Sequence, residues 1–388
     1  MKEFFADLHI HIGRTKSGKP VKITGSKALT IENILYDAEQ QKGMDMVGVI
    51  DCHVPEVLTQ LEEMVNTGEL IEEAEGGLRY GSLTLILGTE IEINDVSTQG
   101  PLHVLCYMPN LDTMHAFSTW YGKRVKNLHL STQRIYERPK VLQEKVRELG
   151  GLFIPAHVFT PFKSLYGSGV NKSLSEVFEP KLIDAIELGL SSNTQMADSL
   201  TELHRYTFVS NSDAHSTAKI GREYQLLRME KATFHELKMA LHNERERAVV
   251  KNFGLDPRLG KYHQTACENC GTPAQRDDAC HNCGHHRFVK GVSNRIAELA
   301  QHTKNPSPRP PYIHQVPLEF IPKLGPKTLQ KLRKHFGTEM NVLHRTTYEE
   351  LKKVVSENIA KQIVRAREGR LAFQAGGAGR YGKVSSDS

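Results

Sequence analysis

Short apolar segments along residues 1–254 repeatedly end on side chains of the kind that bind metals, and this register limits the fold more than any other feature. Residues 3–10 carry Asp7 and His9 and lead to His11; 46–50 lead to Asp51 and His53; 83–87 lead to Glu90; 151–154 lead to His157; 206–210 lead to Asp213 and His215. A further apolar segment, 102–107, begins beside His103, and another lies at 182–188. Helical stretches at 30–42, 55–66, 111–127, 139–149 and 233–242 fall between them. Short strands alternating with helices predict an α/β fold with a mostly parallel sheet or barrel. In β/α barrels the carboxyl ends of the strands form the rim where active sites are built. Histidines two positions apart on a strand share a face, so His9 and His11 are presented together. Neutral imidazole is a common ligand for zinc, manganese and iron, and a metal centre on the rim follows. His115, His129, His204, His235 and His242 lack such companions and read as surface or packing histidines.

The rest of the chain has a different texture. Residues 255–388 carry 22 Lys+Arg and 12 Asp+Glu against 28 and 33 in residues 1–254, so a part of charge +10 follows one of −5. A basic part behind an acidic one points to a polyanionic partner. Four of the six cysteines form two Cys-x-x-Cys pairs, Cys267 with Cys270 and Cys280 with Cys283, nine residues apart. Two such knuckles make a closed tetrahedral thiolate site, so one structural Zn2+ is expected. Gly271 and Gly284 would permit the tight turns that aim backbone N–H groups at sulfur. Arg276, Arg287 and Lys290 give this module a basic edge, and His285 and His286 are spare. Cys52 and Cys106 read as core thiols, and a disulfide framework does not suit a long cytoplasmic chain. Proline-rich residues 305–312 exclude helix and central strand and read as an extended linker. Residues 316–370 are helical, and 375–388, rich in glycine and serine, read as a flexible tail. No run reaches the roughly 20 apolar residues of a membrane span, and the opening residues have no signal-peptide core, so a cytoplasmic protein without a membrane partner is expected. The expected organisation is a barrel over 1–254, a zinc module over 255–300, a linker over 301–315, a helical domain over 316–374 and a tail over 375–388.

The set His9, His11, Glu90, His103, His157, Asp213 and His215 resembles the motifs of the PHP (polymerase and histidinol phosphatase) superfamily. The resemblance implies a distorted (β/α)7 barrel holding two or three divalent metals, Zn2+, Mn2+ or Mg2+. His9, His11, Glu90 and Asp213 would bind one metal, and Glu90 would bridge to a second held by His103 and His157. His53 and His215 match ligands of a third metal, or complete the second. Catalysis would rest on His9, His11, Glu90, Asp213 and His215. Two cations about 3.5–4 Å apart can generate hydroxide, orient a phosphate and stabilise the leaving oxygen. The sequence departs from the family at Asp51-Cys52-His53, where either Asp51 or His53 is the ligand, and at Gly13-Arg14-Thr15-Lys16, where a histidine is usual. Arg14 and Lys16 are candidates for phosphate contact or for solvated surface charge. Asp7 is expected to orient a ligand histidine rather than to ligate.

Residues 321–332 resemble a helix-hairpin-helix motif, in which Leu324, Gly325, Lys327 and Thr328 would grip a DNA phosphate at a helix start. Residues 351–366 look like a degenerate partner hairpin. A PHP barrel, a four-cysteine module, the segment 310–318 and a helix-hairpin-helix end, in that order, resemble the endonuclease Q family, as do the segments 155–167 and 187–193. That family nicks DNA on the 5′ side of uracil, hypoxanthine, xanthine or an abasic site, leaving a 3′-hydroxyl and a 5′-phosphate. The resemblance therefore implies a metal-dependent DNA repair endonuclease whose partner is damaged DNA, with a sliding clamp or another repair protein as a candidate partner. Phe159, Phe162 and Tyr166 would stack on an extruded base, Ser191, Ser192 and Asn193 would hydrogen-bond it, and Arg287 would face DNA. Deamination replaces an amino donor with a carbonyl acceptor, so donors in the pocket would discriminate. The alternatives are a PHP phosphatase acting on a small phosphomonoester and a non-catalytic DNA-binding scaffold.

Overall fold

β1 (Lys2–Ile10) is buried from Phe5 onward, Asp7 and His9 included, as a strand covered on both faces must be. The computed structural model describes residues 1–274, 279–301, 308–371, 373–374 and 382–384. β1 pairs in parallel with β2 (Met46–Val49). The hairpin β3 (Ile71–Glu72) and β4 (Leu78–Tyr80) leads into β5 (Leu83–Ile93), which is parallel to β2. β6 (Leu102–Met108) turns back antiparallel to β5, and β7 (Leu152–Pro155) is antiparallel to β6. β8 (Ala185–Glu187) and β9 (Thr207–Val209) form a parallel pair.

Backbone hydrogen bonds close these strands into a ring. Asp184 N donates to Phe153 O and Val158 N to Glu187 O, both at 3.0 Å, joining β7 to β8. Ala214 N donates to His9 O and His11 N to Ala214 O, both at 3.1 Å, joining the segment after β9 to the end of β1. β10 (Tyr224–Met229) pairs antiparallel with the first half of β1, and β11 (Ala248–Gly254) pairs with β10. β1 therefore serves one neighbour with its first half and another with its second. Ala6, Leu8, Met46, Ile86, Leu105, Tyr107, Ile154 and Val209 fill the interior. Phe5, Ile10, Val47, Leu85, Val104 and Phe153 pack in the larger core. That core takes in the helices α1 (Ile31–Tyr36), α2 (Pro55–Asn66), α3 (Leu111–Gly122), α4 (Pro139–Glu148) and the short α5 (Thr194–Ala197); α6 (Phe234–Leu241) closes the other cluster.

The register of β1 breaks between Asp7 and Ile10. Asp7 pairs with Val47 and Ile10 with Val49, so β1 spends one residue more than β2. Side chains alternate along a strand, so such a bulge reverses which of them face inward. Ala6 and Leu8 point into the barrel before it; after it Ile10 packs outward, and His9 and His11 turn inward. Gly48 makes room opposite, because a Cβ there would lie 2.4 Å from Leu8 O.

The chain is an α/β barrel with a four-cysteine module and a helical end. The expected helix over 111–127 stops at Gly122, and the strand begun at Leu83 runs on to Ile93 because β6 pairs along all of that extension. β10 and β11 went unread in the sequence. The module adds β12 (Ala266–Cys267), β13 (Phe288–Val289) and α7 (Val292–Leu299). β14 (Tyr312–His314) joins β11 in parallel, and the Arg309 guanidinium lies 3.8 Å from the Phe208 ring centre and bonds Asp198 at 2.8 Å, so this proline-rich stretch is pinned to the barrel. The end consists of α8 (Pro326–Phe336), α9 (Glu339–His344), α10 (Tyr348–Val354) and α11 (Glu357–Arg367). It docks on the barrel through a buried ion pair, Lys42 Nζ to Glu339 Oε2 at 3.0 Å, and through His344 stacked on Phe5. Arg276, linker residues 302–307 and most of the expected tail lie outside the described residues. Among the described residues no helix is long and apolar enough to cross a membrane.

Candidate metal centre

Each strand delivers its polar side chain to the same rim for a local reason. The bulge turns His9 and His11 inward on β1. Glu90 shares the inward face of β5 with Ile86, and Glu187 that of β8 with Ala185. β6 runs opposite to β5, so His103, near its start, reaches the rim that the others reach at their ends. His157 follows β7, and Asp213 and His215 follow β9.

The two histidines of β1 are held alike. His9 Nδ1 meets Glu187 Oε1 at 2.9 Å, and its Nε2 lies 3.4 Å from Asp213 Oδ1 and 3.7 Å from Glu90 Oε1. His11 Nδ1 meets Asp51 Oδ2 at 3.1 Å, and its Nε2 lies 3.4 Å from Asp213 Oδ1 and 3.5 Å from Glu90 Oε2. A carboxylate behind each ring fixes its orientation and leaves Nε2 facing the centre. On the other side, Glu90 Oε1 meets His103 Nδ1 at 2.9 Å and His157 Nε2 at 3.3 Å. Three overlapping groups result, each with donor atoms within 4.8 Å: His9, His11 and Glu90; His11, Asp213 and His215; Glu90, His103 and His157.

The residues fit divalent metals. Nε2 of His9 and of His11 is buried with no hydrogen-bond partner among the described residues. Orphaned buried polar atoms are costly, and two that face the same pair of carboxylates are satisfied together by a cation. Electrostatics point the same way. Burial opposes charge on Glu90, yet His103 and Lys22 hold it well below the usual carboxylate range; His9 does the same for Asp213. Burial also opposes charge on His9, but Glu187, Asp213 and Glu90 outweigh it and raise that imidazole to about 10. A metal on Nε2 takes the place of that proton.

Asp51 and His53 fall outside the three groups. Asp51 sits behind His11 and also accepts from Ile12 N at 2.8 Å. His53 packs edge-on against Tyr121, and burial lowers it to about 4. Asp7 touches no imidazole, contrary to the role expected for it. Its carboxylate accepts from Ser212 N at 3.0 Å and Gly221 N at 2.8 Å, anchoring the loop that carries Asp213. Glu187 and Asp51 are the groups that orient histidines.

A cavity of about 500 Å3 opens above the centre. Thr132, His157, Lys163 and Asp213 line it with φ between 31° and 55°, the left-handed region that costs non-glycine residues energy. Such strain gathers where a site over-determines its backbone. Of the residues expected to meet a base, Phe162 and Ser191 line the cavity. Phe159 and Tyr166 stack on each other in the core at 5.3 Å, the Ser192 hydroxyl donates to Leu188 O, and Asn193 caps α5. Sequence reasoning missed Lys22, Thr132 and Tyr262, which bear no motif, and passed over Glu187 although it opens the segment 187–193. Tyr262 meets Phe162 edge-to-face at 5.7 Å, so the approach to the cysteine module forms one wall.

Cys267 and Cys283 sulfurs lie 3.6 Å apart, and those of Cys270 and Cys280 3.5 Å. A tetrahedron with Zn–S of about 2.3 Å has edges of about 3.8 Å, so the four thiols suit zinc. Gly271 and Gly284 take φ of 76° and 70° and donate to Cys267 O and Cys280 O, closing the two knuckles. Arg287 is exposed and pairs with Glu268 at 3.2 Å. In the hairpin Leu324 is buried, Gly325 starts α8 with no side chain capping it, Lys327 is exposed and Thr328 half-buried.

No protein-family model matches the chain. The uncharacterized protein YqxK of Bacillus subtilis is 55% identical over 385 residues, 99% of this chain and 100% of that protein. The uncharacterized protein MJ0043 of Methanocaldococcus jannaschii is 37% identical over 254 residues, 58% of this chain and 31% of that longer protein. Among solved structures, the lesion-specific endonuclease PfuEndoQ from Pyrococcus furiosus superposes with a TM-score of 0.85 at 31% identity, covering 99% of this chain and 95% of that one. Endonuclease Q in complex with a 27-mer duplex bearing an abasic lesion at the active site superposes with a TM-score of 0.84, also at 31% identity, covering 99% and 96%.

Proposed function

The chain belongs to the endonuclease Q family, and we propose that it is a metal-dependent DNA repair endonuclease that nicks 5′ of deaminated bases (uracil, hypoxanthine, xanthine) and abasic sites, leaving a 3′-hydroxyl and a 5′-phosphate. One observation carries this reading: the partnerless Nε2 atoms of His9 and His11 converge on Glu90 and Asp213, with His103 and His157 on the other side of Glu90, on the floor of a cavity open to a large ligand. His9, His11, Glu90 and Asp213 would hold one divalent metal, Glu90, His103 and His157 a second, and His215 adjoins the first. Bound there, the metals supply Lewis acidity and acidify a water.

The chain's own residues do the rest. Glu187 and Asp51 fix the imidazoles, and Asp7 pins the loop bearing Asp213. Exposed Phe162, with Tyr262 against it, offers an aromatic face to an extruded base, and the Ser191 hydroxyl a donor to its carbonyl. The cavity falls within the roughly 300–1,000 Å3 typical of ligand pockets. The start of α8, with Gly325, Lys327 and Thr328, faces solvent where a backbone phosphate can bind, and a Zn2+ on Cys267, Cys270, Cys280 and Cys283 holds the module that carries Arg287.

End-labelled duplexes containing one uracil, hypoxanthine or abasic site, with and without chelator, test the reading. A single nick 5′ of the lesion, lost with chelator and lost in His9→Ala while DNA binding persists, is expected. Phosphate release from small esters with intact duplexes, or full nicking by His9→Ala, would overturn it.

A further inference from the structure

Lys22 lies on the irregular segment between β1 and α1, outside every motif in the sequence. Its backbone is fixed: Lys22 N donates to Ile12 O at 2.8 Å and Lys22 O accepts from Gly25 N at 2.9 Å. The side chain, 15% exposed, runs to the metal centre and lines the cavity. Its Nζ donates to Glu90 Oε2 at 3.2 Å and to Thr132 Oγ1 at 2.7 Å. Thr132 itself donates to Glu90 Oε2 from a left-handed backbone with φ of 55°. An ammonium carries three N–H donors, and no third acceptor for this one is found among the described residues. Of the other lysines lining the cavity, Lys163 pairs with Glu92 at 2.9 Å and Lys261 is engaged as well; Lys16, a candidate phosphate contact from the sequence, lies outside the lining and pairs with Glu63 at 3.2 Å on the surface.

We propose that Lys22 is a catalytic residue of the cleavage, its third N–H donating to a non-bridging oxygen of the scissile phosphate. The proposal rests on the endonuclease reading. In the reaction a water oxygen forms a bond to phosphorus as the P–O3′ bond breaks; the water gives up a proton and O3′ takes one up. Lys22 stays protonated throughout. Its charge is fixed where negative charge collects on the equatorial oxygens, and such preorganised donors act most strongly in a water-poor site. Glu90 serves both sides of the arrangement, turning Oε1 to His103 and His157 and Oε2 to Lys22. Metals held by Glu90, His103 and His157 would share that carboxylate with the ammonium, so that a phosphate oxygen turned away from them would still meet a cation.

The competing explanation is that Lys22 only neutralises Glu90. Lys22→Met keeps the aliphatic stem and removes the donors; Lys22→Arg keeps the charge and moves them. Three quantities decide, all on the full-length protein: metal content by inductively coupled plasma mass spectrometry, affinity for an abasic duplex in chelator across a salt series, and single-turnover nicking. For Lys22→Met we expect unchanged metal content, a salt slope smaller by about one as one phosphate contact is lost, and nicking slowed about 10²–10³-fold. Lys22→Arg should keep its metals and nick at an intermediate rate. Metal loss in parallel with the loss of nicking, or wild-type rate and salt slope in Lys22→Met, overturns the proposal alone. If Lys22→Met does not fold, Lys22→Arg decides: wild-type nicking with full metal content overturns the proposal. Failure of the wild-type protein to nick an abasic duplex overturns the endonuclease reading beneath it.

Discussion

At the scale of single residues, the acid–base consequence that lies away from the metals belongs to Glu223. Its carboxyl is fully buried, and burial outweighs the Leu255 N–H and Arg222 beside it, pushing it up to about 8. The folded form therefore holds a proton that the unfolded chain releases near pH 4.5. The stability from that proton is complete below the unfolded value and is lost as pH rises toward 8, by on the order of 1 kcal/mol per pH unit. Glu223→Gln, neutral throughout, should flatten this slope: urea midpoints of the variant should gain on wild type between pH 5 and pH 8. An unchanged difference across that range would place the proton elsewhere. The same scale shows why parts of the metal centre escaped the sequence. His9 and His11 stand out because they sit two apart beside an apolar run. Glu187, which orients His9, is 178 positions away, and Lys22 and Thr132 belong to loops whose composition resembles any surface. The strand-end residues that the structure groups together, such as His9 and His11, were legible; the groups that hold them come together only in three dimensions.

At the scale of elements, one inserted residue in β1 decides which way the first histidines face. Gly48 permits it, and an alanine Cβ would press within 2.4 Å of Leu8 O, a backbone atom with little freedom to yield. Gly48→Ala should cost about 1–3 kcal/mol or more in stability and, by shifting β1, lower metal content; denaturant unfolding and metal analysis measure the two together. Normal stability with full metal occupancy would show that the bulge tolerates a side chain. The alternation of strand and helix, the cysteine knuckles and the Leu324-Gly325 turn were all readable, because each rests on local chemistry. The reversal of β6, which brings His103 to the rim from the start of its strand, was not, since antiparallel and parallel strands buried on both faces share one apolar pattern. Nor were β10 and β11, whose pairing depends on a first half of β1 left free by the ring.

At the scale of the whole molecule, the cysteine module and the barrel share one cavity wall, where Tyr262 meets Phe162. Zinc binding to such a module is folding energy for it. Cys270→Ser should therefore lose one zinc, open residues 255–300 to protease and impair nicking at lesions, while the barrel keeps its metals; metal stoichiometry with limited proteolysis and the nicking assay read these outcomes. Protease resistance with undiminished nicking would detach the module from the site. The closure of the ring has its own consequence, in time rather than in space. Leu8 N is held by Asn211 across 203 positions, and His9 and His11 meet the backbone of Ala214. At roughly 5–20 residues per second of synthesis, on the order of 10–40 s separate the appearance of the first ligands from that of Asp213. On the proposed function, the nascent chain would carry His9 and His11 without the rest of their set during that interval, and selection of the ion would wait until the ribosome has delivered the far side of the barrel.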